Sequence, residues 1–560
     1  VEGVLEFARR DLALSAEYVI ATGNGVLRAG SASEPFAQRL VITLRGADRS
    51  ANVMGAGTKV LAAVGGAIEL YGRPVTPWTR LQGTAAAGAA RITLAEPPAG
   101  WRVGDRIAIA PTDYDPFEAE TRVITALDGA AVTLDRPLAH THWGEIEPLA
   151  SGQTIDQRAS VGLLSRSITI RGDNAATPWF GAHVMVMGNG IGRFSHVEIT
   201  GAGQAGLLGR YPIHWHISGD RGRESFLVGS AVHSNFQRGL VVHRTNELQV
   251  RDNVIFDSYG HLVFIESSDE VRNVFDRNLV MLTRALPAAQ RNAEIGFEHQ
   301  TAPAMASGFW ISNGHNRFTR NVVAGVEEGH GYWFVDGAFV DRPGREYELF
   351  CTPHVSQSCH LGTNAYFGQV RRGATLLEFR DNMAHSIAHR PGAPGLSIGG
   401  SFFAANALML DNFVPGDAAN APIQGFRAWK ATFYGIWGAH GERNQNPLIV
   451  DAIVADSRGA LFNGGQGSGL RPMTLRGVTL VKTTRNQPAE RASWSEQRWR
   501  DFFHRFNSAN DTFWTGITTY PRPRIDFANP TAPLQGYPAF TEFSNVQLLG
   551  WTEAEKAFPR

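Results

Sequence analysis

The chain has 560 residues and no formal net charge, with 52 basic and 52 acidic side chains. That balance argues against a general nucleic-acid binder, which shows a basic domain or stripe, and no apolar run is long enough for a membrane span. Only 19% of residues are charged and 61 are glycine, which favours an all-β chain rich in tight turns. An anionic glycan stays open as a partner, because a local arginine-lined groove is enough to hold one. Val1 opens the chain without a signal-like segment, so it reads as a mature or trimmed sequence.

Short apolar or alternating runs appear at Leu40–Leu44, Ala67–Leu70, Arg106–Ala110, Ala131–Leu134, Ser167–Ile170 and His183–Met187, separated by Gly, Asp, Asn and Pro turns. This is a strand-and-turn pattern. Between them Asp113, Asp115, Glu118 and Glu120 put four carboxylates in eight residues. Such a cluster can hold calcium, with Asp113 and Asp115 as ligands, or supply a general acid. Its spacing is not that of an EF-hand, and a solvated acidic turn is the plain alternative.

From about residue 160 a rough repeat emerges. Asn253, Asn278, Asn321, Asn382 and Asn412 each stand before a short apolar strand, and the first two lie 25 residues apart. That is near one coil of a β-helix, in which each turn position recurs from rung to rung. The wider later gaps fit coils with long inserted loops, such as Leu286–Ser307 and Asp341–Gly362. The expected architecture is a right-handed parallel β-helix over 156–485. An N-terminal β region over 1–155 is expected to pack on it, and a C-terminal capping helix and Pro-rich wrap to fill 486–560.

The strongest local signal is Arg210-Tyr211-Pro212-Ile213-His214-Trp215-His216-Ile217-Ser218-Gly219-Asp220. Residues two apart on a strand face one side, so His214 and His216 project together, away from Ile213, Trp215 and Ile217. The next two coils offer His243 and Glu266, which align with His216 if the turn between them slips by two residues. Two imidazoles and a carboxylate in stacked rungs about 4.8 Å apart suit a transition metal bound by His214, His216, His243 and Glu266. Without metal the same set is a proton-transfer system, and a hydrogen-bonded polar ladder is the plain alternative. Asp220 or Asp257 would provide a second carboxylate. Arg210, Tyr211, Arg244, His261, His330 and Trp333 supply the aromatic faces and guanidinium forks that bind uronate sugars. The only cysteines, Cys351 and Cys359, sit close together in a polar loop. A loop-closing disulfide, and with it an oxidising compartment, is the expectation; free thiols are the alternative.

Several motifs occur in a telling order: Gly65–Gly72, Trp78–Leu81, Val103–Ile107 and Thr112–Asp115, then Tyr211–Asp220, His243 with Thr245-Asn246, Phe256-Asp257, Gly260-His261, Ile265-Glu266 and Phe309–Asn313. Taken together they resemble the eight-glycine domain and β-helix of the hyaluronan-degrading cell-migration-inducing protein / transmembrane protein 2 family, from about residue 50 to 340. Trp215 stands where the family's Tyr-Pro-Ile-His-Phe-His segment has Phe. The resemblance implies an extracellular or periplasmic protein that cleaves or binds hyaluronan or another uronate-containing glycan, with calcium dependence in some members. Endo-hydrolysis is the first expectation, with Glu266 as acid or base oriented by His243 and His216. A lyase is the second, and a non-catalytic glycan binder the third.

Overall fold

A computed structural model describes residues 1–173, 177–266, 270–290, 306–334, 375–388, 405–411, 413, 421–440, 447–464, 473–504, 515–520 and 540–551. Cys351, Cys359, Asn412 and most of the two long inserted loops lie outside the described residues.

Among the described residues three parallel sheets of 13, 13 and 12 strands run side by side, successive coils adding a strand to each in turn. This is the expected parallel β-helix. Its interior is one continuous core, built from the inward half of each alternating strand: Leu40, Ile42 and Leu44, then Ile168 and Ile170, then Val197 and Ile199. The 25-residue repeat is a coil: Val254–Tyr259 pairs in parallel with Leu279–Arg284, with Val254 opposite Leu279. At each of these turns the asparagine side chain points inward. Asn253 Nδ2 donates to Asn278 Oδ1 at 2.9 Å, Asn278 Nδ2 to Asn321 Oδ1 at 2.9 Å, and Asn321 Nδ2 to Asn382 Oδ1 at 3.0 Å. The ladder satisfies backbone groups that the bend leaves without a sheet partner, which is why the residue recurs.

The coils begin earlier than the expected boundary at residue 156. Leu12–Ala16, Leu40–Leu44 and Ile168–Gly172 are consecutive rungs of one sheet, and Val60–Val64 pairs with His183–Met187 in another. The N-terminal strands are thus the first coils of the helix itself. What sits apart is an insertion between Gly72 and Arg166. It forms a six-stranded antiparallel sheet in the order Trp78–Arg80, Ser160–Leu163, Arg106–Ile109, Glu120–Asp128, Ala131–Leu134, Arg91–Thr93. Trp78, Ala108, Ala110 and Leu164 bury its inner face against Val254, Phe256, Leu279 and Met281 on the outside of the helix. Gly162 allows the approach, since a Cβ there would lie 2.8 Å from Val254 Cγ1.

The expected C-terminal helix, α1 at Glu496–His504, exists, but it is not the last element. Trp499, Phe502 and Phe503 pack into the main core. The chain then adds another coil through Thr515–Tyr520, Phe540–Ser544 and Gln547–Leu549. The Pro-rich stretch expected as a wrap falls outside the described residues.

Candidate active site

The strand Ile213–Gly219 lies between His183–Met187 and Leu240–Thr245 in the 12-stranded sheet. Ile213 and Trp215 enter the core, so alternation puts His214 and His216 on the outer face, as the sequence indicates. His216 stands directly opposite His243. The next strand, Val263–Ile265, pairs Val242 with Ile265, and the Glu266 amide donates to the Val242 carbonyl at 3.0 Å, so Glu266 follows His243 in the same column. The column is present, but the expected two-residue slip is not needed: the three strands run in unbroken register up to His216, and the register irregularity comes only after it, where Ile217 takes a positive φ of 57°.

The three imidazoles converge. One ring nitrogen from each of His214, His216 and His243 lies within 4.8 Å of the others. His216 Nδ1 and His243 Nδ1 are 3.0 Å apart, and Glu266 Oε2 is 3.9 Å from His243 Nδ1. The site is not the exposed groove that solvation of so many polar groups would suggest: His214 is 1% exposed, His243 3% and Glu266 5%. Burial, followed by the neighbouring His216 and His243, holds His214 well below its ordinary pKa. His243 falls to about 3, again through burial first and then His216 and Arg244. Both are therefore neutral near pH 7. His214 Nδ1 contacts the Gly209 carbonyl at 2.9 Å, so that nitrogen carries the proton and donates. The lone pair is left on Nε2, which is buried with no hydrogen-bond partner. A ring oriented by Nδ1–H to a backbone carbonyl, with its other nitrogen bare, is the arrangement of a metal-ligating histidine. Two zinc-bound nitrogens at about 2.0–2.1 Å from the ion lie roughly 3.3 Å apart, close to the His216–His243 separation.

The other expected site residues divide. Tyr211 packs 5.0 Å from His214 ring to ring, and Arg210 presses against Gly57 at the neighbouring turn. Arg244 is half-buried beside His243, and its amide donates to Glu270 Oε1 at 2.8 Å. His261, His330 and Trp333 are buried on the same outer face, one to several coils onward. There His261 meets Trp310 at 4.7 Å and His330 meets Trp333 at 4.6 Å. Tyr211 and Trp333 belong to an apolar stack with Val241, Phe264 and Trp310, so none of these rings offers an open face to a sugar. Asp220 is exposed past the end of the strand, where it accepts from Asn246 Nδ2 at 3.0 Å and pairs with Arg272. Asp257 is on Val254–Tyr259, in a different sheet, bound to Arg284. Neither joins Glu266, because a turn of the coil separates them from its face.

The acidic cluster is also spent elsewhere. Asp113 sits between Arg491, at 2.5 Å, and Lys430, at 3.6 Å. Asp115 caps the short turn at Pro116–Glu118 by accepting from the Phe117 amide. Burial works to raise Glu120, yet hydrogen bonds from His142 and the Ala139 and His140 amides hold it at about 2. A carboxylate already neutralised by two cations is a poor calcium ligand. Glu118 is the exception: burial, then Asp113 and Asp115, raise it to about 8. The folded state therefore holds a proton there that the unfolded chain releases above about pH 4.5. Its stabilising effect is complete below that pH and is lost as pH rises through about 8. Glu118→Gln is expected to gain on the order of 1–2 kcal/mol over the parent at pH 9 and nothing at pH 4. Thermal unfolding at both pH values measures the difference.

Sequence reasoning missed His183 and Glu270. His183 opens the preceding rung, is fully buried and adds to the depression of His214. The alternation His183-Val184-Met185-Val186-Met187 carries the signal that would have placed it on the outer face. Glu270 gave no signal, since it follows the strand in an irregular turn.

Residues 1–82 match the G8 domain family and residues 179–391 the CEMIP beta-helix family. The chain therefore carries a CEMIP β-helix domain and a G8 domain. It is 34% identical to human Fibrocystin-L over 520 residues, which cover 83% of this chain and 12% of that protein. It is 30% identical to the human cell surface hyaluronidase CEMIP2 over 281 residues, 44% of this chain and 20% of that protein. The Danio rerio cell surface hyaluronidase gives 30% over 280 residues, again 44% and 20%. The chain thus spans about a tenth to a fifth of these relatives. The CEMIP β-helix match contains His214, His216, His243 and Glu266, while the G8 match contains the first coils and ends before most of the insertion.

Proposed function

We propose that this chain cleaves a uronate-containing polysaccharide, hyaluronan or a close analogue, by endo-hydrolysis outside the cell, at the site formed by His214, His216, His243 and Glu266. The observation that carries the reading is the convergence of three imidazoles, two of them buried and held neutral, and one carboxylate on one face of the helix. The name of the CEMIP2 relative, a cell surface hyaluronidase, supports the substrate class. In hydrolysis a water adds its hydroxyl to the anomeric carbon, the bond from that carbon to the bridging oxygen breaks, and a proton goes to the departing hydroxyl. Glu266 is the group that exchanges that proton, and His243, 3.9 Å away, orients it. His214, with its bare Nε2, together with His216 and His243, would hold a divalent transition ion, which would act as a Lewis acid and leave Glu266 for the proton.

Elimination is the second reading, favoured by a specific observation: among the described residues no second carboxylate joins the metal-competent histidine cluster besides Glu266. There a neutral imidazole would take the proton next to the uronate carboxylate, and the bridging oxygen would leave as the double bond forms. The test is digestion of a panel of uronate polysaccharides with the full chain, with and without chelator. Shortened chains without ultraviolet-absorbing unsaturated ends are expected. Unsaturated ends would establish the lyase reading, and intact polymer that still binds the protein would leave a binder. Metal analysis of the purified chain is expected to find a bound transition ion, and His214→Ala to lose it together with activity.

A further inference from the structure

A second polar cavity lies away from the histidines, between the insertion and the outer face of the sheet that contains Leu40–Leu44, Ile168–Gly172 and Val197–Thr200. It encloses about 670 Å³ and is lined by Arg39, Arg73, Arg102, Arg106, Arg166 and Arg171, a volume typical of ligand pockets. Three acids also line it, Asp11, Asp105 and Glu198, and each is already engaged. Asp11 accepts from the Arg39 amide at 2.9 Å and Asp105 from the Arg102 amide at 2.8 Å. Glu198 binds Arg106 at 2.8 Å, the Arg166 amide at 3.2 Å and His233 at 3.2 Å. Cationic capacity is left over.

Arg166 concentrates that capacity. It is 7% exposed. Its Nε donates to the Gly229 carbonyl at 2.8 Å, and its Nη1 donates to those of Leu163 and Ser165 at 2.7 and 2.9 Å. Its Nη2 is buried with no hydrogen-bond partner. Arg73 repeats the pattern: Nη1 donates to the Gly100 carbonyl at 2.5 Å and Nε has no partner. A buried guanidinium donor left unmade costs more than an exposed one, and three carbonyls hold Arg166 too firmly for it to turn away to solvent. Gln38 Oε1, also buried in this wall, is an acceptor without a donor. A fully ionised inorganic anion satisfies the arginines and leaves Gln38 unmet. A sugar acid satisfies both, with its carboxylate on the guanidinium groups and a ring hydroxyl on the amide oxygen.

We propose that this cavity is a second, non-catalytic binding site for a uronate-bearing saccharide segment. The inference rests on the substrate class of the proposed function and adds a site to it. Because the cavity is walled by one sheet and the histidines stand on another, one polymer chain could be held at a distance from where it is cut.

The experiment uses the full chain carrying Glu266→Gln, so that cleavage does not obscure binding, with a hyaluronan octasaccharide as the probe. Hydrogen exchange is expected to slow in segments 37–44 and 165–172 as well as around His214. Replacing the exposed Arg39 and Arg171 together with Glu should abolish the first protection, keep the second, and weaken binding at the cavity about tenfold or more. Thermal unfolding checks that this variant folds, and Arg73→Gln provides an independent one. Protection confined to the histidine site would overturn the inference and leave the proposed function standing. Protection of the cavity by a parent chain that cuts no uronate polymer would do the reverse. Equal protection by inorganic phosphate, or by a neutral chitin oligosaccharide, would overturn the assignment of a uronate ligand.

Discussion

Glu266→Gln is expected to lower kcat on a uronate polysaccharide about 10²–10⁴-fold, the usual contribution of a positioned acid or base, with KM near that of the parent. Glutamine keeps the volume and planar shape of the side chain at a position that is 5% exposed, so packing should survive. The backbone bond from the Glu266 amide to Val242 is untouched by the exchange. What disappears is the ability to give and take a proton 3.9 Å from His243 Nδ1. A correctly folded variant that turns over at the parent rate would remove Glu266 from the chemistry. Loss of binding with unchanged kcat would make it a substrate contact instead. The distinction needs the split between kcat and KM, because a merely structural role would move both along with the unfolding temperature.

Asn278→Ala is expected to cost about 3–5 kcal/mol of stability, because one side chain serves four hydrogen bonds in a fully buried turn. Its Nδ2 donates to the Val250 carbonyl at 3.0 Å and to Asn321 Oδ1 at 2.9 Å. Its Oδ1 accepts from the Asn253 amide at 3.1 Å and from Asn253 Nδ2 at 2.9 Å. Alanine leaves the Val250 carbonyl and both Asn253 donors without these partners, and opens a cavity too small and too enclosed to hydrate well. Urea unfolding measures the loss as a drop in the midpoint at constant slope. A change below about 1 kcal/mol would mean that the ladder is incidental to the coil.

The site was legible to the extent that strand alternation and the coil repeat reach. His214 and His216 face outward because Ile213 and Trp215 must face inward, and the 25-residue step from Asn253 to Asn278 announces the coil. Those two regularities place His243 opposite His216 and Glu266 after it. The failures lie where a different element intervenes. Asp257 looks like a partner for Glu266 because it is only nine residues away in the chain. It sits instead on the neighbouring sheet with Arg284, since a bend in the coil separates the two strands. Asp113 looks like a calcium ligand only until Arg491 and Lys430 arrive from more than 300 residues away, and Asp115 only until its carboxylate caps the turn at Pro116–Glu118.

The sequence by itself determined the fold class, the coil repeat, the inward-facing core and the outward histidine column, because each depends on short-range periodicity that any parallel coil must repeat. Only the tertiary structure decided where the helix begins. Antiparallel and parallel strands share the same two-residue alternation, and the insertion separates Ala67–Tyr71 from its partner Ile191–Ser195 by more than a hundred residues. Tertiary structure likewise decided the burial of the histidine cluster, the bare Nε2 of His214 and the convergence of six arginines on one cavity. Burial and electrostatic partnership are properties of what folds over a residue, and local pattern does not encode which distant segment that will be.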